Sequence, residues 1–256
     1  MSDVSRPTPP SGTARSTGSP LPGALGQGTL GRATALVYWY VVVTALLALA
    51  ALPTLVLLLL LDRAASNVPL AALAGLPLGP ALSAALYAVR ARESDDEVAP
   101  ARTFVRGYRR GALDALRVWA PALGVLAVVG VVLANASAAG VGPTYAAVLV
   151  VIAALALVWG LHAVAIATFY SFRTRDVARL AAHYLGRMPL VSLGVVSLLV
   201  AAAGVAWFAT DGVLALVGGV WVWCWYRNDR RMLDDVRARF TTDSPQARPP
   251  EEPSPS

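Results

Sequence analysis

TALVYWYVVVTALLALAALPTLVLLLLL, residues 34–61, runs for 28 positions without one charged side chain. A bilayer's hydrocarbon core is about 30 Å thick, and a helix needs roughly 20 apolar residues to cross it. This stretch spans it with length to spare, and Pro53 marks a place for a bend. Five more apolar segments follow, at about 68–89, 112–134, 144–170, 188–209 and 212–227. The expected fold is all-α, a polytopic transmembrane helix bundle of about six spans.

The second segment departs from the others. Pro69, Pro77 and Pro80, with Gly75 and Gly79, interrupt its first half, and only Ala81 to Arg92 reads as unbroken helix. It is either a kinked span or a re-entrant piece, which would leave five spans. Re-entrant backbone persists in a membrane only where protein or a wet cavity covers its polar groups. Pro77, Gly79, Pro80 and Tyr87 are therefore a candidate broken-helix site.

Composition agrees with the membrane reading. Of 256 residues, 57% are hydrophobic and 14% charged, where soluble domains carry about 25% charged residues. All 21 basic residues are arginine, which with the abundant Ala, Val, Leu, Gly and Pro suggests a GC-rich bacterium. The net charge of +6 is read as arginine held in cytoplasmic loops rather than as a nucleic-acid surface. The single cysteine, Cys224, excludes an internal disulfide and reads as a small buried hydrophobe. Residues 1–33 read as a disordered cytoplasmic tail without a signal peptide, 34–235 as the membrane domain and 236–256 as a second disordered tail.

Arginine placement sets the orientation. The connection after segment two holds Arg90, Arg92, Arg102, Arg106, Arg109, Arg110 and Arg117, and that after segment four holds Arg173, Arg175, Arg179 and Arg187. Arg227, Arg230, Arg231, Arg237 and Arg239 follow segment six, while the alternate connections hold Arg63 and Asp211. With six spans the positive-inside rule places both termini in the cytoplasm of a bacterial inner membrane; if the second segment does not cross, the N-terminus lies outside and every later loop keeps its side. Tyr38, Trp39 and Tyr40, and Trp221, Trp223, Trp225 and Tyr226, are expected as headgroup-level anchors at the inner ends of the first and last helices.

Chemistry-bearing residues are few. There is no G-x-x-x-x-G-K-[ST], H-E-x-x-H or G-x-S-x-G motif. No catalytic, cofactor or metal site is expected. The acidic run Glu93, Asp95, Asp96 and Glu97 is read as a solvated loop. Asp114 and Arg117 stand at the entry of segment three. His162 is the one ionisable residue expected inside the bilayer, as a neutral ring bonded across helices rather than a proton relay.

Two connections look built for contact. In residues 101–119, Phe104, Tyr108, Ala112, Ala115 and Trp119 recur at helical spacing, with Arg102, Arg106, Arg109 and Arg110 off that stripe. Residues 176–189 repeat the pattern, with Val177, Leu180, Ala181, Tyr184 and Leu185 apolar and Arg179, His183 and Arg187 polar. Both predict amphipathic helices on the membrane surface, each entering a span near a proline, Pro121 or Pro189. Their arginines are candidate contacts for anionic lipid headgroups or for a partner protein. Gly130 with Ala134, and Ala202 with Ala206, permit close packing within the chain or in a homo-oligomer.

The order of these features resembles the YesL-like family of bacterial integral membrane proteins. The resemblance lies in Gly79-Pro80-Ala81-Leu82-Ser83-Ala84-Ala85-Leu86-Tyr87 and in Thr103-Phe104-Val105-Arg106-Gly107-Tyr108-Arg109-Arg110. It continues in Arg175-Asp176-Val177-Ala178-Arg179, with His183 and Arg187-Met188-Pro189. It implies a non-enzymatic accessory or scaffold role linked to carbohydrate uptake, with an ATP-binding-cassette carbohydrate importer as partner, and transfers no catalytic residue. The alternative is a small stand-alone transporter or channel for a neutral solute such as a sugar.

Overall fold

The computed structural model describes residues 29–62, 64–94, 99–136, 138, 140, 142–208 and 211–240, excluding the side chains of 29, 30, 32, 206–216 and 240. The tails at 1–28 and 241–256, Arg63, Asp95, Asp96, Glu97 and the Asp211 side chain lie outside this description. Among the described residues the chain is all helical: α1 (Thr29–Leu60), α2 (Val68–Ala74), α3 (Leu78–Glu93), α4 (Pro100–Ala134), α5 (Pro143–Phe169), α6 (Thr174–Arg187), α7 (Pro189–Phe208) and α8 (Asp211–Phe240), with a short 3-10 turn at Ala65–Asn67. The chain divides at Tyr38 into an N-terminal unit, described only over the opening turns of α1, and a second unit that begins at Trp39.

Proline sets several of the starts. Pro100 and Pro143 open α4 and α5, and Pro69 stands in the first turn of α2. There the missing N–H is one that a helix leaves unbonded in any case. Pro189 opens α7 directly behind α6, and α6 and α7 meet at 97°. The proline ring cannot continue the helix from the preceding turn, so Met188 takes a non-helical φ of −121° and the chain swings. Pro53 and Pro121 sit inside α1 and α4, which run on past them.

Among the described residues, four helical stretches are long and apolar enough to cross a membrane, at 33–60, 65–93, 100–134 and 143–169; the bent pair α6–α7 makes a fifth if taken as one. The sixth expected span corresponds to α8, whose apolar stretch closes at Arg227. Its roughly 16 residues reach about 24 Å, short of the hydrocarbon thickness.

The broken second segment becomes the inner helix. Of the residues in an apolar 18-residue window within 65–93, 61% are buried, against 17% in that within 33–60. Ala81, Ala84, Ala85 and Ala88 let α4, α5 and α8 approach α3 on several sides. The large residues exposed on α1, among them Leu49, Leu59 and Leu60, are the apolar surface that lipid requires.

The 101–119 stretch runs into the third segment as expected and forms the first half of α4, a helix of 35 residues and about 52 Å. Phe104, Ala115 and Trp119 of its apolar stripe are buried in the protein rather than laid on the membrane surface. Two further expectations change. Trp39 and Trp225 are 5% and 0% exposed, so they are core residues rather than headgroup anchors. Finally, among the described residues α1 includes 29–33 and α8 includes 236–240, and Val236, placed beyond the membrane domain by sequence, is fully buried.

Candidate functional site

The charged chemistry collects at one end of the bundle, where α3 and α5 finish and α4 begins. Arg102, Arg106, Arg109 and Arg110 are exposed along the first turns of α4, opposite buried Thr103, Phe104 and Gly107. α6 shows the same division: Val177, Ala181 and Tyr184 are buried, while Arg179, His183 and Arg187 are exposed. The His183 ring meets Tyr184 edge-on at 5.5 Å. Trp159 on α5 donates from Nε1 to the Ala178 carbonyl at 3.1 Å, which ties α6 across the end of the bundle.

α6 is also clamped to α8. The Tyr184 hydroxyl donates to Asp235 Oδ2 at 2.7 Å, and Arg239 Nε donates to Asp235 Oδ1 at 2.9 Å. Burial, then the bond to Asp235, pushes the Tyr184 hydroxyl up to about 12. The same bond, followed by that from Arg239, holds the Asp235 carboxyl below its ordinary value. Arg90 stacks over Phe169 at 4.7 Å, and Arg92 over Trp39 at 4.9 Å and Tyr40 at 5.4 Å. Glu93 of the acidic run pairs with Arg230 of α8 at 3.5 Å.

Between α3, α4 and the end of α5 lies a cavity of about 430 Å³. α3 contributes Ser83, Tyr87, Arg90 and Ser94, spaced so that one helical face carries them all. α4 contributes Arg106, Gly107, Arg110, Gly111 and Asp114, and α5 ends in Thr168 and Phe169. The glycines bring the two walls together. A Cβ on Gly107 would stand 2.8 Å from Tyr87 Cβ, and one on Gly111 would stand 3.0 Å from Ser83 Oγ. Asp114 turns to Arg117 at 3.2 Å.

The break in the second segment is filled. Trp119 Nε1 donates to the Gly75 carbonyl at 3.0 Å, satisfying a carbonyl at the break. The indole also covers Gly79, whose Cβ would meet Trp119 at 2.8 Å. Gly79 and Pro80 are buried, and Pro77 is half-buried at the helix start. Of the four residues singled out there, Tyr87 alone lines the cavity. A second cavity, about 400 Å³, lies at the opposite end between Leu58, Asp62, Val68 and Ala134.

His162 is fully buried and does bond across helices. Its Nδ1 lies 3.2 Å from Asp229 Oδ2 on α8, and its Nε2 lies 3.3 Å from Ser192 Oγ on α7. Asp229 is 1% exposed and also accepts from Trp225 Nε1 at 3.0 Å and from Asn228 Nδ2 at 3.1 Å. Asn228 donates in turn to the Val191 carbonyl at 2.8 Å.

Ser–His–Asp in that order is the arrangement of a nucleophile relay. Here Ser192 Oγ is also within 3.2 Å of the Leu185 carbonyl, the ring is sealed from solvent, and neither cavity reaches it. The group acts as a polar knot that joins α5, α7 and α8. Sequence reasoning singles out His162 and not Asp229. The available signal was Trp225 and Asp229 one turn apart, which puts an indole donor beside a carboxylate.

Fold and site define a multi-pass helical membrane protein with an arginine-lined polar cavity at one end. No family model matches the chain, and no curated protein or solved structure matches it either.

Proposed function

We propose that the chain is a non-enzymatic accessory or scaffold protein of a bacterial inner membrane, linked to carbohydrate uptake and docking an ATP-binding-cassette carbohydrate importer. The observation that supports this reading is the pair of two-faced helices at one end of the bundle. α4 and α6 bury their apolar stripes in the molecule's own core and carry Arg102, Arg109, Arg179 and Arg187 on their exposed faces. Such arginines match acidic groups on a partner's cytoplasmic face and anionic headgroups beside it. The link to carbohydrate uptake rests on the YesL-like resemblance carried by residues 79–87, 103–110 and 175–189. Passage of a neutral solute through the second segment has less support, because Trp119 fills the break there.

The test is co-purification from native membranes in mild detergent, followed by mass spectrometry. Recovery of an importer subunit near equal stoichiometry, lost when Arg102, Arg109, Arg179 and Arg187 are replaced by Gln, is the expected result. Association unchanged in that variant would overturn the docking role.

A further inference from the structure

The cavity between α3, α4 and the end of α5 is a ligand site, and we propose that it binds a hydroxylated phosphate ester, either a phospholipid headgroup or a soluble phosphate of the same chemistry. This goes beyond the docking role, since it uses the inner wall of the cavity rather than the outer arginine faces.

Among the described residues, Arg90, Arg106 and Arg110 line the cavity with one carboxylate, Asp114, which is turned to Arg117. Arg106 and Arg110 stand one turn apart on α4, so both guanidinium forks reach the same space from one wall. Arg90 lines the cavity from α3, its guanidinium carbon 4.7 Å from the Phe169 ring centroid. Among the described residues no carboxylate stands within ion-pair distance of Arg90 or Arg110. Planar guanidinium forks of this kind suit phosphate oxygens, which accept two parallel N–H bonds from each.

The floor is polar as well. Ser83 is 1% exposed, and the Thr168 hydroxyl lies 2.9 Å from Ser83 Oγ and 2.7 Å from the Val164 carbonyl. Thr168 has one proton for two acceptors, so with Val164 taking it Ser83 donates to Thr168 and keeps lone pairs for a ligand hydroxyl. Tyr87 closes one side. A volume of about 430 Å³ falls in the range that holds a small ligand. Gly107 and Gly111 set the wall spacing, so the site depends on close backbone approach rather than on mobile side chains.

The experiment uses the full chain in an uncharged detergent, with two probes. Glycerol 3-phosphate is titrated calorimetrically, and phosphatidylglycerol retention is compared with phosphatidylcholine by native mass spectrometry. Arg106→Gln with Arg110→Gln is expected to weaken whichever probe binds by about tenfold or more, the loss of one charged hydrogen bond or greater. Arg175→Gln with Arg231→Gln, two exposed arginines outside the cavity, should change binding less than about threefold. Binding of glycerol 3-phosphate supports the site and identifies a soluble ligand. Retention of phosphatidylglycerol alone supports it and identifies a headgroup.

Failure of both probes would overturn the proposal. So would an equal loss in the two double variants, which would mean diffuse surface charge. Should the cavity double variant not fold, Arg106→Gln and Arg110→Gln are read singly, each at an exposed position. Because these arginines differ from the four in the docking test, the two readings fail separately.

Discussion

Asp229 follows Arg227 and Asn228 and precedes Arg230 and Arg231, a run that reads as a solvated helix end, yet its carboxylate is 1% exposed. Trp225 and Asn228 donate to it, and His162 Nδ1 lies within hydrogen-bond distance. Removing the ring leaves a buried polar group short of a partner beside a new void. His162→Ala is therefore expected to lower unfolding stability by about 2–4 kcal/mol, measured by thermal unfolding in detergent. Ser192→Ala, at a part-buried hydroxyl, should cost about 1 kcal/mol. Equal, small losses for both would show that the knot does not hold the helices together. The histidine was legible in the sequence because it interrupts an apolar segment. Its acidic partner was not, because a 67-residue separation leaves no local trace of the contact.

Between elements, glycine decides how near two helices come. A Cβ on Gly160 of α5 would stand 2.7 Å from Ala122 Cβ of α4, two atoms that no rotamer change moves. Gly124, two residues from Ala122 and so on nearly the opposite face of α4, meets nothing within 4 Å. Gly160→Ala should thus destabilise by about 1–3 kcal/mol. Gly124→Ala should be neutral or stabilise by up to about 1 kcal/mol through helix propensity. Urea unfolding or thermal melts of the two variants separate the effects, and similar losses in both would refute the α4–α5 contact.

The α6–α8 clamp carries a pH signature. Asp235 is held below its ordinary value near 3.9, so its contribution is complete above about pH 4 and is lost as pH falls through the depressed value. Tyr184 is raised to about 12, so its contribution is complete below its ordinary value near 10 and is lost as pH rises through the raised one. The stability gap between wild type and Tyr184→Phe is expected to be flat from about pH 4 to about pH 10 and to shrink outside that window. A gap that varies steadily across neutral pH would remove the clamp from the account. The amphipathic pattern of α6 was legible from its spacing. Its turn away from α7 was not, since Pro189 bends the chain while Pro121 lies within a helix that continues.

For the whole molecule, the arginine count predicts one orientation, with the α3–α4 and α5–α6 connections and the end of α8 in the cytoplasm. In a Cys224→Ala background, Ala138→Cys should react with a membrane-impermeant maleimide on intact spheroplasts. Arg231→Cys should react only after permeabilisation, and the reverse pattern would invert the topology.

The sequence by itself determined the solvent. Long uncharged runs have one stable setting, a bilayer, and every backbone group inside it must be bonded, so the chain is helical. It also determined which residues share the apolar faces of α4 and α6, because a 3.6-residue period is a local property. Only the tertiary structure decided that the broken second segment is the inner helix, that α4 projects beyond one bilayer thickness, and that a polar cavity opens between α3 and α4. Each of these depends on close approach between residues distant in the chain: Trp119 over Gly79, Gly107 against Tyr87, His162 against Asp229. Such contacts are set by shape and by the pairing of single polar atoms, and no periodicity along the chain encodes them.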